Sequence, residues 1–117
     1  EVAYIIGKDV KSKQEQIKVP KILKIVAKYF NVTVKEIKGP RRTKDLVLAR
    51  QVCMYILREE FHYKLEEIAK ILCREDHTTV IHGIDKIRHK IMLNDGFNSQ
   101  VSKIITEIHN SSDILDE

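Results

Sequence analysis

Apolar residues recur at helical spacing along most of the chain. Ile22, Ile25, Val26 and Tyr29 lie three or four positions apart. That spacing predicts an amphipathic helix to about Phe30, opened near Pro20 and closed by Asn31. Thr33 followed three residues later by Glu36 has capping-box form, so a very short helix should end near Lys38. Gly39-Pro40 then breaks the chain. From Thr43 to Glu60 a second long stripe holds Ala49, Val52, Cys53, Ile56 and Leu57. After a connection at Phe61–Lys64, Leu65, Ile68, Ala69 and Leu72 mark a two-turn helix. A break at Cys73–Glu75 precedes a helix starting at Asp76 or His77 and running to about Leu93. Its buried side is Val80, Ile84, Ile87 and Ile91. Asn94-Asp95-Gly96 reads as a turn, and Val101, Ile104, Ile105 and Ile108 carry a last helix before an acidic, frayed end at 111–117. Ahead of all this, Val2, Ala3, Ile5 and Ile6 fit the end of a helix stopped by Gly7. Residues 8–18 are polar and linker-like. No internal repeat and no strand pattern stands out, so the fold class is all-α, with about six helices.

A length of 117 residues suits one domain, and a hydrophobic share of 43% is enough for a core. The scarcity of Gly and Pro argues against an all-β fold with its many turns. The chain has neither a bilayer-spanning apolar run nor a signal-peptide pattern, and the expected location is cytoplasmic. Two cysteines are too few for a disulfide scaffold; Cys53 and Cys73 are expected to be small reduced core residues. The chain begins at Glu1 rather than Met, which suggests a piece of a longer protein.

The net charge of +4 says little by itself. Its distribution says more. Residues 35–50 carry Lys35, Lys38, Arg41, Arg42, Lys44 and Arg50 against only Glu36 and Asp45. Residues 1–34 are also basic, 51–90 balance, and 91–117 hold only Lys103 against five acids. A basic knot therefore lies just upstream of the two consecutive short helices.

Those two helices, 65–72 and 77–93, have the form of a helix-turn-helix. Ala69, small within its apolar stripe, allows a close crossing. The second helix opens with Asp76, His77, Thr78 and Thr79. These are short hydrogen-bonding side chains at the end that a recognition helix presents to base edges. The bland alternative is an N-cap followed by three exposed side chains. Periodicity alone does not separate the two.

The run from Ile68 to Ile87, with Asp-His-Thr-Thr-Val-Ile-His at its core, resembles the signature of the bacterial replication initiator family DnaA. The resemblance extends through Arg41–Lys44, Leu48–Tyr55 and the helix Ile22–Phe30, covering about residues 17–110. It implies the family's C-terminal DNA-binding domain, with a Trp-repressor-like helix-turn-helix. Residues 1–16 would then be the tether from a separate ATPase domain. It also implies sequence-specific binding of double-stranded DNA at asymmetric, A·T-rich origin boxes. Asp76, His77, Thr78 and Thr79 would contact bases in the major groove and Arg42 would enter the minor groove. Arg41, Lys44, Arg50, Arg58, Arg74 and Lys86 would meet phosphates. Further initiator protomers would be partners through other domains, and no cofactor is expected in this fragment.

An arginine entering a narrow A·T minor groove agrees with the groove's enhanced negative potential. The chain also departs from the family pattern. Its turn reads Cys73-Arg74-Glu75 where the family is usually Gly-rich. Ala49 replaces a frequent proline, Lys64 a small capping residue, and Asp85 a frequent basic residue. A zinc site at Cys73, His77 and His82 lacks a paired-ligand motif. His62, His89 and His109 read as surface residues. Without a Gly-rich phosphate loop or catalytic constellation, an enzyme reading has little support. Two rivals are a related domain in a transcriptional or transposition protein, and a helical protein-interaction module.

Overall fold

The computed structural model describes residues 19–115, with side chains as far as Asn110. The tether expected at 1–16 and the last two residues lie outside them. Six helices follow in order: α1 (Val19–Tyr29), α2 (Val34–Lys38), α3 (Lys44–Glu59), α4 (Leu65–Ile71), α5 (His77–Leu93) and α6 (Asp95–Leu115). Among the described residues there is no strand.

α3 is the central helix, packed by α1, α2, α4 and α5. Its position follows from its sequence. Leu46, Ala49, Val52, Cys53, Met54, Ile56 and Leu57 are all buried, a stripe far wider than one partner requires. Around it gather Ile22, Leu23 and Val26 of α1, Ile37 of α2, Ile68 of α4, and Ile84 and Ile87 of α5. Each such side chain contributes about 1.5–3 kcal/mol by leaving water. α6 closes the far side by packing on α1 and α5. Tyr29 Oη donates to Glu107 Oε1 at 2.8 Å, and Lys28 Nζ lies 3.6 Å from the same carboxylate. That hydrogen bond to a carboxylate raises the Tyr29 pKa.

Helix ends follow local chemistry. The capping box at α2 forms as its sequence predicts: Glu36 N–H donates to Thr33 Oγ1 at 3.1 Å and Thr33 N–H to Glu36 Oε1 at 3.0 Å. Thr43 caps α3. At α4, Glu67 accepts from the Lys64 N–H at 3.0 Å, so the unusual lysine leaves the cap to the glutamate. Three helix ends turn in the same way. Asn31, His62 and Cys73 have φ of 57°, 59° and 58°, the left-handed region. After each, the next N–H reaches back along the helix, five residues from Val32 to Ala27 O and from Arg74 to Ala69 O, and six from Tyr63 to Leu57 O. The five-residue bonds are the Schellman closure, with a left-handed residue normally given to Gly.

Two expectations are corrected. Asn94-Asp95-Gly96 is not a loop. Asn94 alone separates α5 from α6, its Oδ1 accepting from Phe97 N–H at 2.9 Å. Asn is as much an N-cap residue as a turn residue, and here capping wins. α6 therefore starts at Asp95, and Phe97 is buried. Cys53 is buried as expected, but Cys73 is exposed, because the left-handed turn aims its side chain outward.

Candidate nucleic-acid interface

α4 and α5 pack together across a turn of five residues, Leu72–Asp76. Asp76 is the N-cap of α5: one carboxylate oxygen accepts from Thr78 N–H at 3.0 Å. That bond to the backbone, foremost, holds its carboxyl below the usual value, so it stays ionised. Asp76, His77, Thr78 and Thr79 are all exposed at the open end of a 17-residue helix. The capping role and an outward-facing role thus coexist, since Asp76 stays exposed while it caps.

Beside this end stands the basic loop between α2 and α3. A cleft is lined by Arg42, Val47, Arg50, Gln51, Met54, Arg74 and Thr79. It brings the loop, α3, the helix-turn-helix turn and the first turn of α5 together. A broader groove continues along α3 and α5, lined among others by Arg42, Lys44, Gln51, Lys86 and Lys90. Arg42 lines both. It is exposed and makes no hydrogen bond or ion pair among the described residues, which leaves its guanidinium available. Lys44 and Lys86 are exposed on the same groove. Arg41 is exposed and stands 4.0 Å from Glu36, an ion pair weak in water.

Arg50 departs from expectation. It is only 4% exposed. Its Nε donates to Ile37 O at 2.6 Å, and its Nη2 to Glu36 O at 3.0 Å and Gly39 O at 2.8 Å. Where a free guanidinium was expected, the structure shows one held by carbonyls, and the reason lies in α2. A five-residue helix leaves its last carbonyls without intrahelical partners, and they take donors from elsewhere. Burial, then the charges of Arg74 and Arg42, lower the Arg50 pKa. Arginine remains charged all the same.

Arg74 points the same way. It is half-buried, its Nε donating to Leu72 O at 3.0 Å and its Nη2 to Lys38 O at 3.2 Å and Gly39 O at 2.5 Å. Arg58 is exposed but stands near the other end of α3, roughly 12 Å along the axis from Arg50, where Nη1 donates to Tyr63 O at 2.9 Å. It is not brought to the cleft. Asp85, out of place for a basic groove, pairs with Arg88 at 3.4 Å, and Arg88 also bridges to Glu59. Among the described residues, no group of three or more His, Cys, Asp or Glu could hold a metal.

Sequence reasoning did not single out Gln51 and Lys90, which line the groove beside the named residues. Gln51 was legible as a polar residue set within the apolar stripe of α3. Lys90 carried no such signal, since a lysine on an exposed helix face is ordinary.

The family described as bacterial dnaA protein helix-turn-helix matches residues 19–87. The chromosomal replication initiator protein DnaA of Thermomicrobium roseum is 35% identical over 101 residues, 86% of this chain and 22% of that protein. The corresponding protein of Streptococcus agalactiae is 42% identical over 83 residues, 71% of this chain and 18% of that protein. A crystal structure of a DNA replication initiation factor superposes with a TM-score of 0.73 at 30% identity, over 92% of this chain and 32% of that one. A replication initiator DnaA bound to AMPPCP and single-stranded DNA gives a TM-score of 0.65 at 28% identity, over 88% of this chain and 32% of that one. The chain thus spans about a fifth of the length of the relatives it matches.

Proposed function

Because the chain belongs to the bacterial DnaA helix-turn-helix family, we propose that it binds double-stranded DNA site-specifically at A·T-rich origin boxes, in replication initiation. The observation that carries this reading is one juxtaposition. The exposed Asp-His-Thr-Thr end of α5 and the unpaired Arg42 flank the same cleft.

The division of labour follows from chemistry. His77, Thr78, Thr79 and the exposed carboxylate of Asp76 face base edges in the major groove. Arg42 enters the adjoining minor groove, where an A·T tract concentrates negative potential. Lys44 and Lys86, with Arg41, meet phosphates and set the register. Arg58, away from the cleft, lies at most on the flanking backbone. The described aromatic residues are all at least half-buried, so they offer no stacking platform for unpaired bases. That favours duplex over single-stranded DNA as the target of this domain.

The helix-turn-helix is a binding unit and not a catalytic one. ATP binding, assembly with further initiator protomers and a place at the bacterial nucleoid belong to a longer parent protein. No helix of the described residues is long and apolar enough to cross a membrane.

The test is competition between an A·T-rich origin duplex and a scrambled duplex of the same composition. Binding to the first should be tighter by orders of magnitude. Equal affinities would remove the site-specific reading and leave a general polyanion binder.

A further inference from the structure

The basic loop is short, exposed and lies between two well-packed helices. An arginine that must enter a minor groove needs its backbone held, or binding carries the cost of ordering it. The structure shows where the holding occurs. Gly39 O accepts from two guanidinium groups, Arg50 Nη2 from α3 and Arg74 Nη2 from the helix-turn-helix turn. Arg74 also reaches Lys38 O, and Arg50 reaches Glu36 O and Ile37 O. At the other end of the loop, Thr43 is fixed as the N-cap of α3, its Oγ1 accepting from Leu46 N–H at 3.4 Å. Only Pro40, Arg41 and Arg42 span the interval, and Pro40 is itself restricted in φ.

Arg74 is anchored at its own base as well. Its backbone N–H closes the Schellman turn of α4 on Ala69 O at 2.7 Å, and its Nε holds Leu72 O. The side chain is thus a strut between two segments 35 residues apart in sequence. One end lies in the turn that aims α5; the other lies three residues before Arg42. Guanidinium suits this task because its donors form a fixed planar fork, which an ammonium lacks.

Resting on the duplex-binding reading above, we infer that Arg74 is a positioning residue that fixes the minor-groove loop to the helix-turn-helix, rather than a phosphate contact. It sets the distance and angle between Arg42 and the first turn of α5. Both grooves are then read in one register by a nearly rigid body. Arg74 acts through Arg42, and its effect is confined to the bases that Arg42 reads.

Arg74→Lys separates this role from a phosphate contact, since it keeps the charge and removes the fork. The experiment measures affinity of the whole chain for a duplex carrying its selected site, in wild type, Arg74→Lys, Arg42→Ala and the double variant. Arg74→Lys should lose on the order of tenfold, and the double variant should be no weaker than Arg42→Ala alone. Base preference should relax at the same positions in Arg74→Lys and Arg42→Ala, while positions read by α5 keep theirs. Near-wild-type binding by Arg74→Lys would assign Arg74 to a phosphate. Losses that multiply in the double variant would make the two arginines independent. Either result overturns the inference. Amide hydrogen exchange of residues 38–43 reads the strut without DNA: Arg74→Lys should speed it, and unchanged exchange also overturns the inference. If wild type shows no site preference at all, the duplex-binding reading fails, and the exchange result still decides whether the strut exists.

Discussion

Cys73 sits at φ 58° with its side chain exposed, closing the turn that sets the start of α5. A non-glycine residue there costs about 1–2 kcal/mol relative to its right-handed conformation. The thiol has no buried contacts to lose, so Cys73→Gly should stabilise the domain by about 1 kcal/mol. Urea unfolding measures this, and a destabilised Cys73→Gly would show that the side chain holds the turn. Arg50 gives the opposite case. Arg50→Ala takes a donor from three carbonyls, leaving Ile37 O with none among the described residues, and should cost about 1–3 kcal/mol. An Arg50→Ala variant of unchanged stability but weakened DNA binding would restore the phosphate contact. Part of the residue scale was legible in the sequence. Asp76 through Thr79 stand exposed where helical spacing put them, and Thr33 with Glu36 form the box their separation predicts. Arg50 was not legible, because its partners are carbonyls 11 to 14 residues earlier, and nothing in local spacing reveals an unpaired carbonyl.

Among the elements, α3 and α5 form the frame on which the interface rests. They meet tightly at Gly83, where an added Cβ would lie 2.5 Å from Met54 Sδ and 3.3 Å from Gln51 Cγ. Met54 is buried, so its thioether can shift only toward the cleft it lines. Gly83→Val should therefore destabilise by about 1–3 kcal/mol through overpacking, despite removing a helical glycine. Thermal unfolding of unchanged midpoint would mean that the crossing is looser than this. The stripe Ala49, Val52, Cys53, Ile56 and Leu57 of α3 was readable from sequence, but its central place, with Leu46 and Met54 also buried, was not. The start of α6 was not, because Asn-Asp-Gly satisfies the chemistry of a turn and of an N-cap equally. Only the packing of Phe97 into the core separates them.

For the molecule as a whole, a net charge of +4 is less informative than where the free cations face. Arg42, Lys44 and Lys86 share one groove, whereas Arg50 and Arg74 are directed into carbonyls. Salt dependence should follow that division. Lys44→Gln and Lys86→Gln should each flatten the plot of log affinity against log salt by about 0.9. They should weaken all duplexes alike. A steeper slope, or a loss confined to the selected site, would contradict their assignment to phosphates.

Base reading by the first turn of α5 is tested by selecting bound sites from random duplex DNA with the wild-type chain and with His77→Ala. Wild type should yield one asymmetric, A·T-rich motif. His77→Ala should yield the same motif with a contiguous group of positions degenerate and the Arg42-dependent positions intact. No enriched motif with wild type, or an unaltered motif with His77→Ala, would contradict it.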